Sequence, residues 1–149
     1  MNNRYTFRGK GNPKYNDGEW YYGYLTYDGS DYQIVDSEYG SCKRTVIPET
    51  IGQCTTLTDK NGKLIYEGDV LHVKTGKGWS CPVGTDVYYK IVFTEFNKEN
   101  ATWTQYIGFM AKGLGDVHGL YSIKNIVRSE GAEVIGNIYD NPELLEVEK

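Results

Sequence analysis

Two sets of residues in this sequence have side chains suited to chemistry. The first is acidic: Glu67 and Asp69 flank Gly68, and Glu49 and Asp59 are further carboxylates that folding could bring near. Paired carboxylates can exchange protons as acid and base, or hold a hard divalent cation through their oxygens. Either role calls for a histidine partner or a third carboxylate at fixed spacing, and Glu67-Gly68-Asp69 has neither. The expectation is therefore a turn, with Asp69 accepting backbone N–H groups as the chain enters the next strand. The second set is Cys42, Cys54, His72 and Cys81. Structural zinc sites place two thiolates on one knuckle at C-x₂₋₄-C spacing, which is missing here. Three cysteines in a chain without a secretion signal are expected to be reduced thiols. A cysteine nucleophile with His72 or His118 as base finds no supporting pattern. No catalytic residue, metal or cofactor is expected.

A third set could bind rather than react. Trp20, Tyr22, Tyr24, Trp79, Tyr88, Tyr89, Trp103 and Tyr106 are rings on which bases or peptide side chains could stack. Rings also fill small β cores and pair across strands, so about three-quarters of them are expected in the core or a subunit interface. Trp79 is the exception. It lies in a Gly-rich loop between Lys77-Gly78 and Ser80-Cys81, where it would anchor a partner or fold over the end of the sheet. Gly76-Lys77-Gly78 lacks the G-x₄-G-K-[ST] spacing of a phosphate loop. Asn100-Ala101-Thr102 matches a glycosylation sequon that has no consequence in the cytoplasm.

The elements that must position these residues are mostly strands. Asp59-Lys60-Asn61-Gly62 is a reverse turn between the extended runs Thr55–Thr58 and Lys63–Tyr66. Glu67-Gly68-Asp69 turns the chain into Val70–Val73, whose β-branched and apolar content suits a buried strand. Upstream, Tyr5–Arg8 reads as an edge strand, and Glu19–Tyr27 as a strand with Trp20, Tyr22 and Tyr24 on one face and Tyr21, Gly23 and Leu25 on the other. Tyr32–Val35 returns, and Lys43–Ile47 is a further extended run ended by Pro48. Downstream, Thr75–Asp86 is loop. Val87–Phe96 and Ala101–Met110 form the longest hairpin, turned at Asn97–Asn100, with Trp103 and Gln105 on one face. Leu120–Val127 fits either a strand or a short helix. Ala132–Tyr139 is the last strand, and Pro142 opens a short C-terminal helix at Glu143-Leu144-Leu145.

Composition agrees with a β-rich reading. The 149 residues include 14 Tyr and 18 Gly, against 4 Pro and 2 Met. Tyrosine favours strands and glycine marks turns. One domain with a small N-terminal addition is expected at this length. No apolar run reaches the roughly 18 residues of a membrane span, and Met1–Lys10 has no apolar signal core, so the expected compartment is the cytoplasm. A net charge of −4 opposes a general nucleic-acid binder, which would present a basic surface.

Several segments carry a resemblance. Tyr5–Lys10, Gly18–Leu25, Val46–Gln53, Thr56–Lys63, Ile65–Val70 and Glu133–Leu145 are similar, in that order, to the YopX family of phage and prophage proteins. The stretch from Lys74 to about Glu130 carries over least. The resemblance implies an SH3-like, partly open β-barrel with additional N-terminal strands. The expected domain is a single one over 1–149: an N-terminal β extension to about 50, a barrel-like core over about 51–140, and a tail over 141–149. The resemblance also implies self-association and no established activity. The functional expectation is a non-enzymatic accessory module that forms a homo-oligomer or contacts a host or phage protein. Abundant Tyr and Trp suit such contacts, and Tyr139, Leu144 and Leu145 are apolar residues at an otherwise polar end. The alternative is a nucleic-acid-associated module using Lys77, Lys112 and Lys124 with exposed rings, which the acidic balance disfavours. An enzyme would need Glu67, Asp69 and a histidine to converge.

Overall fold

The computed structural model describes residues 3–36, 42–97 and 105–146. The chain forms two compact units, Met1–Thr56 and Leu57–Lys149. Among the described residues it is mostly antiparallel β structure with one short α-helix.

In the first unit the strands are β1 (Phe7–Lys10), β2 (Trp20–Tyr27), β3 (Tyr32–Asp36), β4 (Lys43–Thr45) and β5 (Gly52–Thr58), which runs on into the second unit. Their order is β4-β3-β2-β1-β5. The expected edge strand at Tyr5–Arg8 is thus an interior one: β1 pairs with β2 on one side and β5 on the other. Gly9 lets Val46 approach β1 closely. A Cβ on Gly9 would sit 2.9 Å from that side chain. Val46, Ile34 and Cys54 are buried in this unit. Pro48 opens a 3₁₀ turn over Pro48–Thr50. Thr50 closes that turn through its hydroxyl, which donates to the Ile47 carbonyl at 2.7 Å and accepts the Lys10 N–H at 2.9 Å.

The second unit contains β6 (Leu64–Tyr66), β7 (Asp69–Lys74), β8 (Asp86–Asn97), β9 (Gln105–Gly113), β10 (Leu120–Tyr121), α1 (Ile123–Glu130) and β11 (Glu133–Asn137). Five strands run in the order β10-β9-β8-β7-β11, all antiparallel. Among the described residues this sheet has β10 and β11 as edges and does not close into a barrel. Val70, Leu71 and Val73 are fully buried, as the apolar run of β7 predicts, and Leu71 and Val73 pack with Ile65, Val87, Ile91, Ala111 and Ala132. Ile123 and Ile126 bring one side of α1 onto this core. Leu120–Val127 therefore divides into a two-residue strand and a helix, which ends at Gly131 in the left-handed conformation, φ 78°. The turn of the longest hairpin and Trp103 lie outside the described residues. The helix at Pro142 is a 3₁₀ turn, Pro142–Glu146, and Leu144 lies against β11, where a Cβ on Gly136 would be 3.1 Å from it. The apolar tail residue thus docks on its own unit.

The aromatics expected in the core or a subunit interface divide. Only Tyr89 of that set is buried among the described side chains, while Tyr22 and Tyr24 are exposed and Trp20, Trp79 and Tyr88 are half-buried. Side chains of Tyr106 and the remaining ring, Trp103, fall outside what is described.

The Asp59 turn forms as its residues dictate, with Gly62 at φ 80°. The Asp59 carboxylate does more than close it. Oδ1 accepts the Asn61 and Lys63 N–H groups at 2.8 and 2.9 Å, and Oδ2 accepts the Val134 N–H of β11 at 3.0 Å. Burial pushes this carboxyl up, but the three backbone donors and nearby Lys63 outweigh it and hold it below its ordinary value. A depressed folded pKa contributes stability that is present above the unfolded value of 3.8 and is lost as pH falls through the folded one. Asp59→Ala should therefore cost on the order of 2–4 kcal/mol in urea denaturation at neutral pH. That gap should narrow below about pH 3.8. An unchanged gap at low pH would show that the charge is not what stabilises the turn.

Candidate functional site

Glu67 and Asp69 form a structural turn. Asp69 is 1% exposed, and its Oδ2 accepts the Tyr66 N–H at 2.8 Å. Gly68, at φ 85°, donates to the Ile91 carbonyl at 2.9 Å and accepts from the Ile138 N–H at 2.9 Å. The turn thereby ties β8 to the residue after β11, and its carboxylate faces backbone rather than a cleft. No group of three His, Cys, Asp or Glu side chains suited to a metal occurs among the described residues. Cys42, Cys54 and Cys81 are not joined in disulfides. His72 is paired with Asp86, Nε2 to Oδ1 at 2.7 Å, beside the Tyr88 ring at 5.2 Å. The bond from His72 is the main reason that the Asp86 carboxyl sits below its ordinary value, and Lys74, 3.8 Å away, adds to the effect.

The loop between β7 and β8 places Trp79 over the end of the second unit's core, against which its ring packs. This is the sheet-end position that its sequence setting allowed. The loop is held at its base by Thr75, which is buried. Its N–H donates to the Thr85 carbonyl at 2.9 Å, its hydroxyl donates to the Pro82 carbonyl, and that hydroxyl accepts the Thr85 N–H at 2.9 Å. Gly84 adds a bond to the Thr75 carbonyl at 2.7 Å. With both ends pinned, Gly78 at φ 92° lets the loop turn where it has open space around it.

Trp79 forms one wall of a cleft of about 350 Å³, together with Tyr121, Ser122, Asn125 and Ile126 and with Tyr89 within it. Tyr89 and Tyr121 meet edge to face, ring centroids 5.4 Å apart. Tyr121 is fixed by its hydroxyl, which donates to the His118 carbonyl at 2.9 Å. The Tyr89 phenol is pushed up to about 12, chiefly by burial and then by the neighbouring Tyr121 and Cys81. It is therefore a neutral hydrogen-bonding group at physiological pH. Ser122 occupies the cap position of α1 but makes no side-chain capping bond. Ser122 and Asn125 both line the cleft.

Of the residues singled out from the sequence, Trp79 and Tyr89 belong to this cleft. Lys77 is exposed on the same loop. Tyr139, Leu144 and Leu145 are half-buried near the chain end, and Glu67 and Asp69 are in the turn already described. Tyr121, Ser122 and Asn125 were not anticipated as site residues. Their available signal was the Ser122–Asn125 spacing at the start of a short amphipathic helix.

The fold and cleft define a β-rich, antiparallel chain with an aromatic cleft at one sheet end of its second unit. A model of the YopX protein family matches residues 6–146, and the chain belongs to that family. No curated protein matches it.

The Thr75 latch can be tested directly. Thr75→Val keeps the shape of the side chain but removes its hydroxyl, and should cost about 1–3 kcal/mol by leaving buried partners unsatisfied. It should also increase Trp79 mobility, read as faster amide exchange across the loop. Unchanged exchange would assign the loop's order to other contacts.

Proposed function

We propose that this protein is a non-enzymatic interaction module of phage or prophage origin that works in the bacterial cytoplasm and assembles with copies of itself. The observation that carries the reading is the outer face of β2. Tyr22 and Tyr24 are 48% and 45% exposed on the same side of that strand, with Trp20 half-buried in line with them. Val35 of β3 lies opposite Tyr24. Tyr5, Tyr15, Tyr27 and Tyr32 are also exposed in this unit. Rings of this amphipathic kind contribute large contact areas at low entropic cost, and they are enriched where one surface meets another. Family membership supports the phage origin. The β-rich second unit, with a short helix against its sheet and an irregular register between Val134 and Gly136, supports reading it as an SH3-like, partly open barrel. No helix among the described residues is long and apolar enough to cross a membrane.

A second reading, a nucleic-acid-associated module, is favoured by one observation: the Trp79 cleft lies on the loop that carries Lys77, with Lys124 exposed on α1.

Light scattering coupled to size exclusion tests the first reading. The wild type should run as an oligomer, and Tyr22→Ser with Tyr24→Ser should shift it toward monomer with its melting temperature little changed, since both rings are exposed. A wild type that is monomeric at every concentration would end the assembly reading.

A further inference from the structure

The Trp79 cleft combines two flat walls with a set of polar groups, and this combination selects a chemical class of ligand. We propose that it binds an unpaired nucleobase, stacked against Trp79 and held at its edge by Asn125, Ser122 and the Tyr89 hydroxyl. The cleft volume, about 350 Å³, is in the range of small-molecule sites. Trp79, Tyr121 and Ile126 supply apolar walls, and every base has a π-face that can stack on such rings. The Tyr89 side chain, 1% exposed, is part of the cleft lining, and its hydroxyl is a neutral donor and acceptor that a ligand group can engage.

The edge chemistry separates a base from other flat ligands. The Asn125 amide offers a donor beside an acceptor, the pairing that matches adjacent groups such as the amino group and ring nitrogen of adenine. The side chain of an aromatic residue in a peptide would fill the walls but offers no such adjacent pair. An anion alone would make no use of them. Lys77 and Lys124 are exposed cations two residues from Trp79 and one from Asn125 in the chain, suited to a phosphate attached to the base.

This inference deepens the second reading above, and the experiment separates the two. The full chain is titrated with AMP, CMP, GMP and UMP, with a short single-stranded oligonucleotide, and with a tryptophan-containing dipeptide, followed by calorimetry and by chemical-shift changes at Trp79 and Asn125. AMP should bind with shifts confined to the cleft. Trp79→Leu should weaken it at least about tenfold, and Asn125→Asp should move the preference from AMP toward CMP, since a carboxylate only accepts. Asn125 is exposed, so its variant reports even if Trp79→Leu fails to fold. Equal, Asn125-dependent binding of mononucleotide and oligonucleotide would place the source in free nucleotides. Much tighter, salt-sensitive oligonucleotide binding would place it in a strand. Strand binding unaffected by either substitution would overturn the base pocket while leaving the nucleic-acid reading intact. No binding of any nucleotide, or stronger binding of the dipeptide, would overturn the pocket outright.

Discussion

The second unit depends on one carboxylate. Asp59 closes its own turn with one oxygen and holds the Val134 N–H with the other, across 75 residues of chain. Lys60 adds an N–H to the Ala132 carbonyl at 2.9 Å and an ammonium to Glu133 at 2.6 Å. The exposed ion pair contributes little by itself, whereas the buried carboxylate bonds fix where β11 begins. From there the register passes across the sheet in a row: Val134 is opposite Leu71, Leu71 is opposite Tyr89, and Tyr89 is opposite Gly113. Slipping a strand by one residue would turn every side chain to the other face. The bond at Asp59 thus bears on whether the Tyr89 phenol is presented to the cleft or to the opposite side of the sheet.

Gly113, at the far end of that row, shows why the cleft's other wall is possible. A Cβ there would collide with the Val117 carbonyl oxygen, so only glycine allows the loop after β9 to lie this close before Gly113 accepts its place opposite Tyr89. The Gly113 N–H bonds the Gly119 carbonyl at 3.0 Å, and the Leu114 N–H bonds the Tyr88 carbonyl at 3.0 Å. These bonds return the chain to β10, where Tyr121 meets Tyr89 and α1 begins.

Local chemistry was legible in the sequence wherever it acts over a few residues. Asp59-Lys60-Asn61-Gly62 and Glu67-Gly68-Asp69 are turns because their side chains and glycines satisfy nearby backbone. The long-range partner of the same Asp59 was not legible, since nothing in a turn sequence names a strand 75 residues on. β1 was misplaced for a similar reason: alternation shows that a segment is extended, but not how many neighbours it has. The tyrosines of β2 show a further limit. Period two assigns Tyr22 and Tyr24 to one face correctly, yet it does not say which face is buried, and tyrosine suits either. Leu120–Val127 was ambiguous because eight residues with three β-branched ones satisfy both periodicities. Ser122 and Gly131, at the ends of the helix Ile123–Glu130, were the signals that favour it.

The electrostatics of the described carboxylates bear on what kind of function fits. General acids need a raised carboxyl pKa, and clefts with mismatched neighbours supply it. Here Asp59 and Asp86 are both held down, by backbone donors and by His72, and Asp69 is consumed by the Tyr66 N–H. The polar groups of the cleft, Tyr89, Ser122 and Asn125, are neutral and gathered around apolar rings. Neutral donors and acceptors on a preformed apolar cleft give orientation and selectivity to a bound ligand. An exposed tyrosine face in one unit and an aromatic cleft in the other are both surfaces suited to recognition.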